Sequence, residues 1–323
     1  MTTTTVQTDA PTFDNRQDFA EELINLARTN DRVVAVCNDS VGSSNLTKFR
    51  EEFPDRLINV GIAEQNMVGV GAGLANAGFI PFVCAAGPFL TGRSLEQIKA
   101  DVAYSQHKVI LCGMSPGMAY GELGPTHHSV EDFSWLRALP GLDIVVPADG
   151  AQTRAAVRNA VADPRPTYIR VGRFKVPHVS EDNAGLERGR FVVAREGTDV
   201  TLIATGTEVS RALWAAASLA AEGVSARVLN ATYLSPLDED AIRDAARQTG
   251  GIITAEEANV AGGLGAAVAS VVGQLEDGAR VPMRILGLKD HFAPTGSTAF
   301  LLDHFGLTAD HIAAAAREVL NRD

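Results

Sequence analysis

The sequence predicts an α/β protein made of two doubly wound domains, and three observations carry that expectation. Short runs rich in Val and Ile recur along the chain, each flanked by a segment with helical spacing of its apolar residues. The alternation pauses once, at about 172–196, in a charged stretch without periodicity, and then resumes. Hydrophobic residues make up 46% and charged residues 21% of 323 positions, enough apolar material for a core in each half. Short apolar strands separated by helices pack as parallel sheets covered on both faces.

In the first half the expected strands are Arg32–Val36, Leu57–Val60, Phe79–Val83, Val109–Cys112, Asp143–Val146 and Tyr168–Val171. Helices are expected near 16–29, 63–77, 92–106, 130–138 and 149–162, the last opened by Asp149 as N-cap. In the second half strands are expected at Val200–Ala204, Ala226–Leu229, Gly251–Thr254 and Met283–Leu286, with helices near 207–221, 238–247, 262–275 and 308–321. The expected division is a loose polar tail over 1–14, a first domain over 15–175, a linker over 176–196 and a smaller second domain over 197–323.

Composition excludes several classes. A net charge of −11 argues against binding nucleic-acid backbone or an anionic membrane. No run of about 18 apolar residues is present, and the N-terminal stretch lacks the features of a signal peptide. The three cysteines, Cys37, Cys84 and Cys112, end or follow apolar runs and have no metal-ligand spacing, so buried free thiols in a reducing cytoplasm are expected.

In open α/β sheets ligands sit beyond the carboxyl ends of the strands, which directs attention to 37–47, 61–67 and 113–129. Glu64 falls in the first turn of the helix after Leu57–Val60, as a reactive acid or as a charge that complements the helix dipole. Gly69, Gly71 and Gly73 lie inside that helix, too late for a dinucleotide fingerprint; small residues at 69, 73 and 77 instead leave a smooth face for packing. The segment Gly121-Glu-Leu-Gly124-Pro-Thr-His127-His128 is either a surface loop or a substrate-facing loop with one His as hydrogen-bond or acid/base group. Arg16, Arg93, Arg170 and Arg173 are ordinary surface arginines or, at the strand ends, an anion clamp. The pair Glu256–Glu257, after the strand Gly251–Thr254, is either catalytic or, as the expected reading, in a solvated or interface position.

Taken together, these segments resemble the C-terminal half of a transketolase, over nearly the whole chain from about Arg16. Asn59-Val-Gly-Ile-Ala-Glu64-Gln-Asn66 is similar to the motif that carries the catalytic glutamate of the pyrimidine-binding domain in thiamine-diphosphate enzymes. Gly124-Pro-Thr-His127 is similar to the substrate loop, Ser44-Asn-Leu-Thr47 to the serine segment at the phosphate end, and Phe89–Ile98 to the segment bearing the aromatic that stacks on the pyrimidine. The resemblance implies a pyrimidine-binding domain followed by a transketolase C-terminal domain. It implies Glu64 and His127 as catalytic residues, and Glu64, Ile62 and Phe89 as cofactor contacts. It also implies Arg16, Ser44, Arg93, His127, Arg170 and Arg173 as the substrate set, with Arg16, Ser44 and Arg173 on a distal phosphate.

The diphosphate-binding GDG motif of full-length relatives is missing. The resemblance therefore implies one half of a split enzyme: a separate N-terminal subunit brings the diphosphate and Mg²⁺ site, and the two assemble as a heterotetramer with a homodimer at its centre. The implied reaction moves a two-carbon ketol unit from a ketose, expected to be phosphorylated, to an aldose, with thiamine diphosphate as electron sink. Another thiamine-diphosphate carboligase, an oxo-acid dehydrogenase β-type subunit or a non-catalytic regulatory subunit of the same fold are the alternatives. Two positions depart from the family pattern. Leu123 stands where an aspartate usually contacts a substrate hydroxyl, and Ser115 where many relatives have His, so the substrate is expected to differ from the usual pentose phosphates.

Overall fold

The computed structural model describes residues 10–181, 186–276 and 280–320. The first unit runs α1 (Asn15–Thr29), β1 (Val33–Cys37), α2 (Thr47–Glu52), β2 (Leu57–Asn59), α3 (Glu64–Asn76), β3 (Ile80–Ala86), α4 (Gly87–Thr91) and α5 (Leu95–Gln97). The last of these continues as a π-helical stretch over Ile98–Tyr104. Then follow β4 (Ile110–Met114), α6 (Asp132–Arg137), β5 (Asp143–Val145), α7 (Gly150–Ala162) and β6 (Thr167–Val171). The second unit runs β7 (Val192–Arg195), β8 (Val200–Ala204), α8 (Glu208–Ala221), β9 (Ala226–Asn230), β10 (Tyr233–Ser235) and α9 (Glu239–Gln248). It ends with β11 (Ile252–Asn259), α10 (Leu264–Val272), β12 (Met283–Leu288), α11 (Thr298–His304) and α12 (Ala309–Leu320).

Two sheets result, in the orders β10-β5-β6-β4-β3-β1-β2 and β12-β11-β8-β9-β7. Each is parallel except for one antiparallel edge strand, β10 and β7 respectively. The inner strands β1, β3, β4 and β6 are buried at every position, as expected of strands with helices on both faces. One face of the first sheet packs Phe19, Leu23, Phe49 and Phe82 under α1 and α7. The other packs Met67, Val83, Leu111 and Tyr168 in an apolar cluster that runs on into Phe191, Leu229 and Leu264 of the second unit. The two units thus share a core. Asp149 caps α7 as expected, its side chain accepting from Gln152 N.

The structure departs from the sequence expectations in identifiable places. The stretch read as a linker holds β7, and β10 crosses over to edge the sheet of the first unit, so neither unit is self-contained. Most of the expected tail lies outside the described residues, but Phe13 bridges Val176 and Asp14 caps α1. On α3 it is Gly71 that packs closely, since a Cβ there would run into Val83, whereas Gly73 has open space beside it. Cys37, Cys84 and Cys112 are buried and free, and they lie side by side across β1, β3 and β4. Among the described residues no helix is long and apolar enough to cross a membrane.

The largest departure is at Glu256 and Glu257. Of the solvated or interface positions expected for them, the solvated one does not hold, because β11 continues through both and both are buried. Successive residues of a strand face opposite sides. Glu256 turns toward α10 and accepts from Leu264 N at 2.6 Å and Gly265 N at 2.7 Å. Burial pushes this carboxyl up to about 7 from its ordinary 4.5, against the pull of those two amides. A raised value means that its contribution to stability is complete below about pH 4.5 and is lost as pH climbs through 7. Glu256→Gln is expected to be less stable overall, because one amide loses its acceptor, but flatter with pH. Thermal melts between pH 5 and 8 would show the wild type losing roughly 2–4 °C more than the variant for each kcal/mol of this linkage.

Candidate active site

The order of the first sheet reverses between β1 and β3, and the connections leaving the carboxyl ends of β1, β2, β3 and β4 gather there. They carry Asn38 and Ser40, Glu64, Phe89 and Arg93, and the loop Ser115–Ser129. Glu64 is the first residue of α3 and is 6% exposed. Gly61, at φ +73°, turns the chain so that the acid points back over the sheet edge. Its Oε1 accepts from Asn38 Nδ2 and from an Arg93 guanidinium nitrogen, both at 2.8 Å. Asn38 Oδ1 in turn accepts from Ser40 Oγ at 2.5 Å, and Ser40 and Ser44 hydroxyls lie 3.4 Å apart. Glu64 Oε2 has no hydrogen-bond partner among the described residues.

A row of rings leads away from this acid. The Arg93 guanidinium sits 4.0 Å over the Phe89 ring. Phe89 meets His127 edge to face at 5.2 Å, His127 meets Tyr120 at 6.1 Å, and the Arg173 guanidinium lies 4.9 Å from the Tyr120 centroid. His127 is half-buried, with Nδ1 3.0 Å from Thr126 Oγ1, whereas His128 is buried. Beyond Tyr120 a cleft of about 520 Å³ opens, lined by the loop, by Arg173 and by residues 296–298 of the second unit. Leu123, 55% exposed, lines this cleft, while Ser115 is fully buried at φ 54°. Ile62 is 80% exposed beside Glu64. The arrangement sets a buried carboxyl, an aromatic face, an imidazole and a guanidinium in one row of contacts.

Three of the proposed anion contacts are placed differently from the expectation. Arg170 is not at a clamp. It is 5% exposed, and its nitrogens donate to Asp132 Oδ2 at 2.8 Å, to Ser129 O at 3.1 Å and to Glu257 O at 3.0 Å. A strand-end arginine reads as surface because its acidic partner is 38 residues away in sequence. Arg16 is paired with Asp14 at 2.6 Å and donates to Ser43 O at 3.2 Å, so its charge is already met. Ser44 is fully buried, its hydroxyl directed at the Ser40–Asn38 chain. Sequence reasoning missed Asn38 and Tyr120. Asn38 follows the carboxyl end of β1, and that position was its only signal.

Comparisons with known proteins identify the family. Residues 12–178 match the family model described as transketolase, pyrimidine binding domain, and residues 189–312 match the transketolase C-terminal domain. The chain is 43% identical over 308 residues to an apulose-4-phosphate transketolase subunit of Phocaeicola vulgatus, covering 95% of this chain and 97% of that one. It is 40% identical to the 6-deoxy-6-sulfo-D-fructose transketolase subunit of a Clostridium species, with 95% and 94% covered. A solved structure titled split gene transketolase, inactive beta4 tetramer, superposes with a TM-score of 0.86 at 37% identity, covering 96% of this chain and 99% of that one.

A pyrimidine-binding domain of this family implies thiamine diphosphate as the cofactor. The chain belongs to the transketolase family and comprises its pyrimidine-binding and C-terminal domains. It is a transferase subunit. The residues present fit the pyrimidine end of that cofactor. The Arg93 guanidinium, flat and rich in N–H, lies over the Phe89 ring and donates to Glu64 Oε1, so this ring and this carboxyl together suit a planar N–H-bearing group.

The burial of Arg170 carries a consequence for stability. Removing one member of a buried pair leaves the other charge uncompensated. Arg170→Met is expected to cost about 3–5 kcal/mol in chemical denaturation, whereas Arg173→Met costs less than about 1 kcal/mol.

Proposed function

We propose that this chain is the C-terminal subunit of a two-chain transketolase that moves a two-carbon ketol unit from an anionic ketose to an aldose. The observation that carries the reading is the seat between Glu64 Oε1 and the Phe89 ring, where a planar nitrogen-bearing group already rests. Thiamine diphosphate held there would supply the electron sink for the two-carbon transfer. Glu64 holds or returns a proton at the ring nitrogen it faces, and Asn38 fixes its carboxylate in place. Phe89 stacks on the pyrimidine face. His127 hydrogen-bonds the sugar oxygens that gain charge during transfer. Arg173, at the far end of the row, takes the anionic terminus of the substrate. Leu123 gives the cleft an apolar contact where an acid would have sought a hydroxyl.

A partner subunit that binds the diphosphate and Mg²⁺ completes the reading. Ile62, two residues before Glu64, is 80% exposed and leaves a large apolar side chain that such a chain would cover. The open face of α3 at Gly73 and the tetramer title of the structural relative support a second copy of this chain in the assembly. Two relatives are named for sugars that carry a phosphate or a sulfo group, which supports an anionic substrate terminus.

Two measurements test this. In the enzyme reconstituted with its partner, Glu64→Gln is expected to slow cofactor C2–H exchange, followed by NMR, by roughly 10²–10⁴-fold; unchanged exchange removes Glu64 from proton transfer. Arg173→Ala is expected to raise KM for a phosphorylated ketose at least tenfold (about 1.4 kcal/mol) and to leave KM for its unphosphorylated counterpart within about twofold. Equal effects on both would reject the anion contact.

A further inference from the structure

The second domain places no side chain in the seat between Glu64 and Phe89, yet it holds the loop that carries His127. That loop is closed at its neck by a reciprocal pair of backbone bonds, Gly117 N to Ser129 O at 2.9 Å and Ser129 N to Gly117 O at 2.8 Å. Glu257 grips the neck from β11. Its Oε1 accepts from Met118 N at 2.5 Å and its Oε2 from Thr207 Oγ1 at 3.1 Å. One carboxylate therefore joins the start of α8 in the second domain to the loop of the first. Gly117 sits at φ +65°, and a Cβ there would run into the Glu257 carboxyl, so the loop approaches this group as closely as a backbone can. The main chain of Glu257 contributes as well: its carbonyl accepts from Arg170, which also donates to Ser129 O on the other side of the neck. Glu257 is 3% exposed, so these bonds are made in the low-dielectric interior, where each counts for more than at the surface.

We propose that Glu257 is a positioning residue for substrate binding: it sets the height and tilt of the loop, and through it the distances from His127 to Phe89 and from Tyr120 to Arg173. This rests on the reading that the loop faces the sugar. Glu257 does not touch the cofactor seat. Glu64 and Asn38 are carried by α3 and by the end of β1, outside the loop. Loss of the anchor therefore displaces the sugar contacts and leaves cofactor activation intact.

The test uses the enzyme reconstituted with its partner subunit. The donor is whichever of fructose 6-phosphate, apulose 4-phosphate and 6-deoxy-6-sulfofructose the wild type turns over fastest. Glu257→Leu is expected to raise donor KM by about 10–100-fold, the scale of a misplacement of about 1 Å, with cofactor C2–H exchange in the absence of sugar within about twofold of wild type. Glu257→Gln keeps a carbonyl acceptor for Met118 N and is expected to restore KM to within about threefold. An unchanged KM in the Leu variant, a fall in exchange together with the rise in KM, or failure of Gln to rescue would each overturn the proposal. If the Leu variant does not fold, Thr207→Val, which frees one oxygen of the same carboxylate, takes its place: a smaller rise in KM supports the proposal and no rise overturns it. His127→Ala separates the two levels. If it raises KM and Glu257→Leu does not, only the positioning role fails; if neither does, the substrate-facing reading of the loop fails first.

Discussion

The buried pair of Arg170 and Asp132 is the constraint on which the rest of the site depends. Taking a guanidinium and a carboxylate out of water is costly, and their attraction offsets this only when the remaining donors and acceptors are met. Here Tyr168 donates to Asp132 at 2.9 Å, and Arg170 reaches two carbonyls and lies 4.3 Å over the Phe133 ring. Burial opposes the charge on Arg170, and Asp132 restores it. Because the four partners come from β6, α6, the loop neck and β11, satisfying one charge ties four elements together at a single point. An arrangement with so many fixed partners has no nearby alternative of similar energy, which gives the loop above it a defined position.

From that point the site is assembled by topology. Parallel strands deliver their carboxyl ends to one edge, and the reversal of order between β1 and β3 leaves a crevice there. Glu64 enters the crevice on a helix N-terminus, where the exposed amides favour an acid. Asn38, from the neighbouring strand end, orients it. The loop after β4 closes the far side with His127 and Tyr120, and Arg173 after β6 marks the end of the row. Acid, stacking face, imidazole and cation thus come from four strand ends of one sheet, and the second domain works by holding the loop.

The second domain is more closely joined to the first than its separate sheet implies. β10 adds a strand to the other sheet, a common apolar cluster spans both units, and Asn259 N donates to Val130 O at 2.7 Å. Glu256 and Glu257, consecutive in the chain, divide their work by the alternation of a strand, one ordering α10 within the domain and one reaching across the contact.

What could be read from residues alone was whatever depends on near neighbours. The Val- and Ile-rich strands, the Asp149 cap and the position of Glu64 after a strand are local patterns, and they emerged close to the observed bounds. Resemblance to a known family added Phe89, His127 and Arg173, which the structure brings into one row with Arg93. Tertiary structure decided which charges face water. Arg170 and the Glu256–Glu257 pair looked like surface or clamp groups because a sequence shows a charge without its partner. Asp132 lies 38 residues before Arg170, and Met118 lies 139 before Glu257. Periodicity extends over a turn or a strand, whereas compensation of a buried charge acts through space, so the assignment of these side chains to interior or site had to wait for the fold.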